Sequence, residues 1–302
     1  MSATPVTTAR GRSAVVLLFA GILWGTGGLS GSLLATEAGL RPLSVAAYRL
    51  LVGGFCAIAI LAGTGGFTGM VWTKPVVRRI LVSGALMCLF QSCYFAAVSL
   101  TSVSLATMIT IGSVPVLVAL ATSVRERRRP ATGALAAIAV AVAGLVLLTW
   151  SPQGLESGWR PALGVVLALA CGGGFATLTL VSRHPVEGLD PWRTTAFALL
   201  VGGLLATPAA LWSGMTLPLR PKAIGAALYL GLGPTALGYA AYFRALRRAH
   251  PVVTALAVLL EPLTAAVLSA VVLGDRLGLT GWCGAALMAG ALAFGSRLRG
   301  ET

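Results

Sequence analysis

The sequence predicts an all-α membrane protein of ten transmembrane helices, arranged as two inverted five-helix repeats with both termini in the cytoplasm. Three observations lead to this fold class: the composition, the number of apolar segments and an internal repeat. Of the 302 residues, 57% are hydrophobic and only 10% are charged, whereas a soluble domain carries about 25% charged residues. The mean hydropathy is +0.90. A chain of this composition is expected to lie within a lipid bilayer.

Ten apolar segments are long enough to cross a membrane, because a spanning helix needs about 20 mostly apolar residues. The joins between these segments are short and rich in Gly, Pro, Arg or Ser. The predicted spans are residues 14–35, 44–63, 79–99, 103–123, 132–150, 162–182, 193–213, 222–243, 252–273 and 279–296.

The basic residues predict the orientation. With the N-terminus in the cytoplasm, 16 of the 22 Lys and Arg residues fall in cytoplasmic segments, 5 fall in outside loops and Arg49 falls within a span. The positive-inside rule therefore places both termini in the cytoplasm. Since the basic residues lie in short runs between spans, they account for the net charge of +14, and no nucleic-acid partner is predicted.

The two halves of the chain resemble each other in sequence. The segment "RPLSVAAYRLLVGG" at 41–54 aligns with "DPWRTTAFALLVGG" at 190–203, and both end in the same five residues. Further along, Pro115 aligns with Pro262. Because each copy holds five spans, the second copy must enter the membrane upside down, as in the inverted repeats of many secondary transporters.

This repeat sets the predicted domain boundaries. The predicted parts are a disordered cytoplasmic tail at 1–12, a first five-helix repeat at 13–150, an outside linker at 151–160, a second, inverted repeat at 161–298 and a cytoplasmic tail at 299–302.

Glu261 stands in the middle of the ninth predicted span and is followed by Pro262. A charged side chain at this depth costs roughly 2.5–3.5 kcal/mol on insertion scales, so it is a functional candidate by default. Two interpretations stay open: a protonatable or substrate-facing carboxylate, or a carboxyl that satisfies backbone groups loosened by the proline. Pro262 and Pro115 are predicted to kink their helices. In the first repeat Val114 takes the place of Glu261, so the carboxylate breaks the symmetry of the repeat.

Two polar residues of the second and third spans are also candidates. Arg49 lies near the outer end of its span, where it either reaches the interface or faces inward and pairs with Glu261 or an anionic substrate. A structural or gating role is favoured for it. Gln91 lies mid-span, with Tyr94 three residues later on the same helix face. Such an amide side chain either forms a hydrogen bond between two helices or contacts substrate.

Two aromatic residues are further candidates. Trp24 lies mid-span in the first helix, too deep for the interfacial belt, and is predicted either to line a cavity or to pack in the core. Tyr239 lies in the eighth span with Tyr242 three residues later. Tyr242 is close enough to the cytoplasmic end to serve only as an interface anchor.

Several features taken in chain order resemble a known family. They are "LWGT" at 23–26, Arg49, Pro115, "LEP" at 260–262 and Asp275. Together with the five-plus-five layout they resemble the drug/metabolite transporter superfamily, specifically its EamA-type members, over essentially the whole chain. The resemblance implies a central cavity lined mainly by helices one, three, four, six, eight and nine. It also implies export or exchange of small metabolites such as amino acids, while some members act on drugs, sugars or nucleotide precursors.

The predicted function is therefore secondary active transport in the cytoplasmic membrane. We expect export of small amphipathic metabolites such as amino acids, by alternating access around a midplane cavity, with drug or toxic-compound efflux as the alternative on the same fold. The partners are a small-molecule substrate and the lipid bilayer. Neither a cofactor nor a metal site is predicted. Small residues on the fifth helix (Gly133, Ala137, Ala141) and on the tenth (Ala286, Gly290) favour close contacts between helices. Such contacts could form within one chain or between the two chains of a homodimer.

Two other classes of function are disfavoured. A passive channel needs a continuous polar stripe or a charged ring, whereas the polar residues here are sparse and central. The "GLSG" at 28–31 matches the motif of rhomboid intramembrane proteases, which need a histidine beside the serine. The predicted topology places Ser30 near the outer face and both His184 and His250 near the cytoplasm, so no enzyme is predicted.

Overall fold

A computed structural model describes residues 6–149, 158–247, 254, 256–268, 270–271 and 278–297. In this part of the chain every regular element is a helix, apart from one isolated bridge between Val186 and Leu189. The helices are α1 (Val6–Ala38), α2 (Pro42–Gly63), α3 (Lys74–Leu100), α4 (Val103–Glu126), α5 (Thr132–Thr149), α6 (Trp159–Ser182), α7 (Pro191–Trp212), α8 (Pro221–Leu246), α9 (Leu260–Leu268) and α10 (Leu279–Arg297).

Eight of the described helices, α1 to α8, are long and apolar enough to cross a membrane, and α10 holds a shorter apolar stretch, Leu279–Phe294. The prediction of an all-α membrane protein is thereby confirmed. The predicted ninth span, 252–273, lies partly outside the described residues. Helix α1 begins at Val6, within the predicted tail at 1–12, and the predicted domain boundaries stay predictions.

Proline and short polar side chains determine where several helices begin. Proline occupies the start of α2 (Pro42), α7 (Pro191) and α8 (Pro221), where its missing N–H has no intrahelical partner to lose. Ser102 caps α4 by accepting the N–H of Leu105 at 3.1 Å. Asp190 caps α7 in the same way through the N–H of Arg193 at 2.9 Å.

The two ends of the bundle can be told apart by contacts between helix ends. At the lower end, where α3 and α7 begin, Arg193 donates to the carbonyls of Gly66 (2.7 Å) and Thr68 (2.8 Å) in the loop before α3. At the upper end, where α7 finishes and α2 begins, the Ser44 hydroxyl lies 2.9 Å from that of Ser213. Helix α2 therefore runs in the direction opposite to α3 and α7.

The repeated LLVGG segments pack against each other at the contact of α2 with α7. A Cβ added to Gly54 would lie 2.6 Å from the backbone nitrogen of Leu200, and one added to Gly203 would lie 2.8 Å from that of Leu51. Each glycine thus leaves room for the backbone of the leucine that stands three residues before the matching glycine of the other helix. Small residues allow this close approach of membrane helices, and the contact looks alike from either side.

A second pair of corresponding helices, α5 and α10, packs through Gly144 and Gly284. A Cβ on Gly284 would lie 2.6 Å from the Gly144 carbonyl oxygen, and a Cβ on Gly144 would lie 2.8 Å from the Gly284 carbonyl oxygen. On the small-residue face of α5, Ala137 and Ala141 are buried. On α10, Gly290 is exposed and its absent side chain would meet nothing within 4 Å.

The two matched prolines occupy different local settings. Pro115 lies inside the continuous helix α4 and is buried, whereas Pro262 lies in the first turn of α9, which begins at Leu260. Residues 258 and 259, just before this helix, form a turn, and the predicted kink at Pro262 stays a prediction. The carbonyl of Val258, which Pro262 cannot reach, accepts the N–H of Glu261 at 3.1 Å instead. Such local tightening satisfies backbone groups that a proline frees within a membrane.

Candidate substrate cavity

A cavity of about 380 Å³ lies between α1, α2, α3, α4, α6, α8 and the segment leading into α9. This volume suits a small organic molecule. All six side chains predicted for the cavity line it: Trp24, Arg49, Gln91, Tyr94, Tyr239 and Glu261. They come from five different helices, so the fold brings together residues that are up to 237 positions apart in the sequence. Their roles in transport stay predictions.

Helix α2 contributes more to the cavity than the resemblance implied. Pro42, Val45 and Arg49 all line it, although the second helix was not among the expected lining helices. Residues 42, 45 and 49 follow helical spacing, so they lie on one face of α2. Arg49 therefore lies on the cavity face of α2, and its role stays a prediction.

The cavity extends from mid-membrane depth to the upper end of the bundle. Its upper wall includes Ala35, Pro42 and Val98, which lie close to the upper ends of α1, α2 and α3. Its lower limit is formed by aromatic rings. The cavity is therefore positioned to exchange with solvent at the upper end and is closed towards the lower end.

The aromatic floor consists of Trp24, Phe90, Phe175 and Tyr239, which line the cavity from four helices. The ring centroid of Trp24 lies 5.2 Å from that of Tyr239 and 5.9 Å from that of Phe175. Phe90 and Phe175 are 5.5 Å apart. Such tilted and edge-to-face pairs are favourable arrangements for aromatic side chains. The floor therefore joins α1, α3, α6 and α8 across the centre of the protein.

Below the floor lies a second aromatic layer that contains Tyr242. This residue is 1% exposed, and its hydroxyl lies 2.9 Å from that of Thr179 in α6. Its ring centroid lies 5.0 Å from that of Trp24. The alternative in which Tyr242 only anchors the protein at the interface is wrong, because this side chain is enclosed by the aromatic layer.

The α8 helix contains a π-helical segment, Gly231–Leu237, around Pro234. Pro234 has no N–H to give to the Leu230 carbonyl, and the Thr235 hydroxyl takes over this role with a hydrogen bond of 2.7 Å. Thr235 in turn accepts a hydrogen bond from Nε of Arg49 at 3.3 Å. The irregular segment thereby positions the guanidinium of the cavity. π-Helical turns occur frequently at functional sites.

Replacing Thr235 by Val is expected to destabilise the folded protein by about 0.5–1.5 kcal/mol, because the hydrogen bonds that join its hydroxyl to the Leu230 carbonyl and to Arg49 would be lost. The change keeps the shape of the side chain and removes only its hydroxyl. Thermal unfolding of the detergent-purified protein measures the effect, and Thr235→Ser serves as the control that keeps the hydroxyl. An unfolding temperature unchanged in Thr235→Val would contradict this account of the π-helical segment.

Gln91 and Tyr94 lie side by side on the cavity face of α3. Gln91 is 2% exposed, and its amide nitrogen has no hydrogen-bond partner within the described residues. An unpaired buried amide is unfavourable unless a ligand or water supplies an acceptor. Tyr94 instead has its hydroxyl 2.7 Å from that of Thr107 in α4. Gln91 is therefore the better placed of the two to donate to a bound molecule.

Glu261 and Arg49 face the same cavity without forming an ion pair. Within the described residues, the ion pairs closer than 4.0 Å are Arg193–Asp190 and Lys222–Glu37. The backbone carbonyl freed by Pro262 already has its partner in the N–H of Glu261, so the carboxyl is not needed there. A carboxylate and a guanidinium that are both held at one cavity form a site of two opposite charges.

Several lining residues were missed by the sequence analysis. Thr107 and Thr110 on α4 lie three positions apart and both line the cavity, as does Phe90 on α3. Threonine gives a weak signal because its hydroxyl often bonds to its own helix, and Phe90 resembles any core residue. The three-residue spacing of the threonines was the available signal.

The comparisons with known proteins agree with this geometry. A model of the EamA-like transporter family matches residues 11–150 and again residues 162–297. The chain belongs to this family. Among curated proteins, the "Uncharacterized transporter YwfM" of Bacillus subtilis (strain 168) is 29% identical over 272 residues, covering 90% of this chain and 89% of that protein. A crystal structure superposes with a TM-score of 0.81 at 20% identity, covering 95% of this chain and 99% of the other, and supports the fold alone.

The resemblance to EamA-type members of the drug/metabolite transporter superfamily is thus confirmed, and the protein is a multi-pass membrane transporter of small molecules. In this EamA-like transporter, the serine and one of the histidines that were considered for a protease have other hydrogen-bond partners. Ser30 donates to the carbonyl of Thr26 at 3.0 Å within its own helix, while His184 lies 2.7 Å from Arg125. His250 lies outside the described residues. The described residues contain no group of three or more His, Cys, Asp or Glu that could hold a metal ion.

Proposed function

We propose that this EamA-like transporter is a secondary active exporter of small amphipathic metabolites such as amino acids. The observation that carries the proposal is that one cavity is lined by Arg49, by Glu261 and by an aromatic floor. A zwitterion presents a carboxylate and an ammonium group, and these would face the guanidinium and the carboxylate. The apolar part of the substrate would rest on the floor.

The proposed architecture is ten transmembrane helices in two inverted repeats, 13–150 and 161–298, with both termini in the cytoplasm. The mutual contacts of α2 with α7 and of α5 with α10 support it, because corresponding helices of an inverted repeat meet across a two-fold-like axis. The distribution of basic residues supports the orientation. With this orientation the cavity faces the outside, and the aromatic floor separates it from the cytoplasm.

Alternating access is the proposed mechanism. The substrate would enter from the cytoplasm after the aromatic floor opens and would leave from the cavity when the floor is closed. Proton coupling or exchange would drive the cycle, with Glu261 as the group that binds the coupling proton or the substrate ammonium. A passive channel needs a continuous pathway, and the closed floor favours a transporter.

Efflux of drugs or toxic compounds is the second candidate function. Most of the cavity wall is apolar, and an apolar wall with a carboxylate also suits lipophilic cations. Arg49 distinguishes the candidates, since a guanidinium would oppose a cationic drug and would attract the carboxylate of an amino acid. For this reason the zwitterionic substrate class is proposed first.

The test is transport by the full-length protein in vesicles, with a panel of radiolabelled amino acids and a panel of cationic dyes. The expected result is saturable transport of an amino acid that a proton ionophore diminishes. Linear flux that neither saturates nor responds to the ionophore would support the channel and contradict the proposal. Transport of the dyes alone would support drug efflux instead.

A homodimer stays a prediction. The small residues Ala137 and Ala141 of α5 are buried within the chain, so this part of the α5 face is used internally. Ala286 and Gly290 of α10 are exposed, and they are the part of the proposed contact that stays accessible. The mass of the detergent-solubilised protein, measured by light scattering, would decide between monomer and dimer.

A further inference from the structure

A second, much smaller pocket lies at the lower end of the bundle, between α3, α6, α7 and α8. It measures about 10 Å³ and is lined by Arg79, Ser182, Thr194, Phe243 and Arg247, among others. A space of this size admits about one water-sized body. The aromatic floor and the layer beneath it separate this pocket from the central cavity. The pocket is therefore a distinct site at the closed end of the protein.

The pocket brings two guanidinium groups together without an acidic partner. Neither Arg79 nor Arg247 belongs to an ion pair within the described residues. Arg247 donates through Nη2 to the carbonyl of Leu189 at 2.8 Å, which leaves its other N–H groups available. The nearby carboxylate of Asp190 is already occupied by Arg193, at 3.3 Å. Two like charges at one pocket repel each other, and a bound anion would remove this repulsion.

Ser182 supplies an independent observation that points to a ligand. This last residue of α6 is 6% exposed and lines the pocket, yet its hydroxyl has no hydrogen-bond partner within the described residues. Many serine and threonine hydroxyls in the spans do have partners, as Thr194 does in the carbonyl of Asp190 at 2.8 Å. The buried hydroxyls of Ser83 and Thr122 share with Ser182 the lack of a partner within the described residues, but they do not line this pocket. A buried hydroxyl without a partner costs free energy. In this pocket it is a donor available to an anion.

We propose that this pocket is an anion-binding site, held by Arg79, Arg247 and Ser182, for a halide or for one oxygen of a small carboxylate. The size of the pocket excludes bulky anions, and the three donors surround the space from α3, α6 and the end of α8. Bound there, the anion would tie these helices together at the lower end. It would thereby stabilise the arrangement in which the central cavity is closed below.

Phe243 connects this site to the transport pathway. It lines the small pocket, and its ring centroid lies 6.0 Å from both Tyr239 and Tyr242. In the proposed alternating access, on which this step rests, opening of the aromatic floor would move α8 relative to α6. The donors Ser182 and Arg247 lie at the ends of these two helices. The site therefore holds together the helices that must separate when the cavity opens towards the lower end.

The experiment follows the thermal unfolding of the full-length protein in detergent by the fluorescence of its seven tryptophans. The protein starts in sodium gluconate, whose anion is too large for the pocket, and chloride or acetate then replaces gluconate at constant ionic strength. The expected result is a saturable rise in Tm of roughly 2–5 °C. A rise with chloride alone assigns the site to a halide, and a rise with acetate alone assigns it to a carboxylate.

Three variants separate this site from general salt effects. Arg79→Gln and Ser182→Ala are expected to abolish the anion-dependent rise, whereas Arg78→Gln, which changes an exposed neighbour on α3, should keep it. Ser182→Ala removes a hydroxyl that has no partner, so this variant is expected to fold even if Arg79→Gln does not. The proposal is overturned if the wild type shows no rise, or if Ser182→Ala shows the same rise as the wild type.

Discussion

Glu261→Gln is expected to reduce pH-dependent transport to the level of empty vesicles while the protein stays inserted in the membrane. The carboxyl lines the central cavity and has no ion-pair partner within the described residues. Its neighbour Pro262 does not require it, because the freed carbonyl of Val258 bonds to a backbone N–H at 3.1 Å. The substitution preserves the size of the side chain and removes only its ability to gain and lose a proton. Uptake into vesicles at several external pH values measures the effect.

The choice of controls makes this prediction specific to the cavity. Glu37→Gln removes a carboxylate at the upper end, which pairs with exposed Lys222 at 3.9 Å, and exposed pairs contribute little to stability. This variant should transport like the wild type. Glu261→Asp keeps the carboxyl and should retain part of the pH dependence. Wild-type transport with an unaltered pH profile in Glu261→Gln would remove Glu261 from the mechanism.

The sequence identified the cavity residues because each was costly or unusual where it stood. Glu261, Arg49 and Gln91 are polar residues within apolar spans, and Trp24 lies too deep for the interfacial belt. Burying such groups is unfavourable without a compensating role, so their presence is informative even without a structure. The fold then brought all of them to one cavity. Their separation along the chain could not reveal this, because helix packing decides which faces meet.

Local backbone irregularities were harder to predict than the cavity. Pro115 and Pro262 match in the sequence alignment, yet one lies inside a continuous helix and the other lies in the first turn of α9. A proline is compatible with a kink, a π-helical segment or a new helix start. Which of these forms depends on the neighbouring hydrogen-bond donors that can satisfy the freed carbonyl. The role of Thr235 beside Pro234 has the same origin. The alternatives differ by single hydrogen bonds, which apolar periodicity does not encode.

Filling the central cavity from α1 is expected to stop transport without unfolding the protein. Gly28 lines the cavity, and a Cβ added there would meet nothing within 4 Å. In Gly28→Leu the new side chain would therefore project into the space reserved for the substrate. Because the added Cβ meets nothing within 4 Å and the rest of the side chain would enter the cavity, Tm should stay close to that of the wild type. Substrate flux should fall to background in the vesicle assay that reports wild-type transport.

Two other glycines supply the controls for this prediction. Gly173 on α6 also has nothing within 4 Å but does not line the cavity, so Gly173→Leu should retain transport. Gly25 packs against α9, where an added Cβ would lie 2.4 Å from Cβ of Thr264. Gly25→Leu should therefore destabilise the protein, since overpacking typically costs about 1–3 kcal/mol. Full transport by Gly28→Leu would mean that the substrate does not pass through this part of the cavity.

Graded substitutions at Gly28 and Gly173 also distinguish an effect on the size of the accepted substrate from an effect on helix packing. If Gly28→Leu stops the transport of a large amino acid but Gly28→Ala still allows that of a small one, the wall of α1 sets the upper limit of substrate size. A methyl group at position 28 occupies open space, so any graded loss must come from the volume left to the substrate. The same graded series at Gly173 should leave transport unchanged, because its side chains would point away from the cavity. Selectivity that follows the side-chain volume at position 28 alone would therefore locate the substrate beside α1.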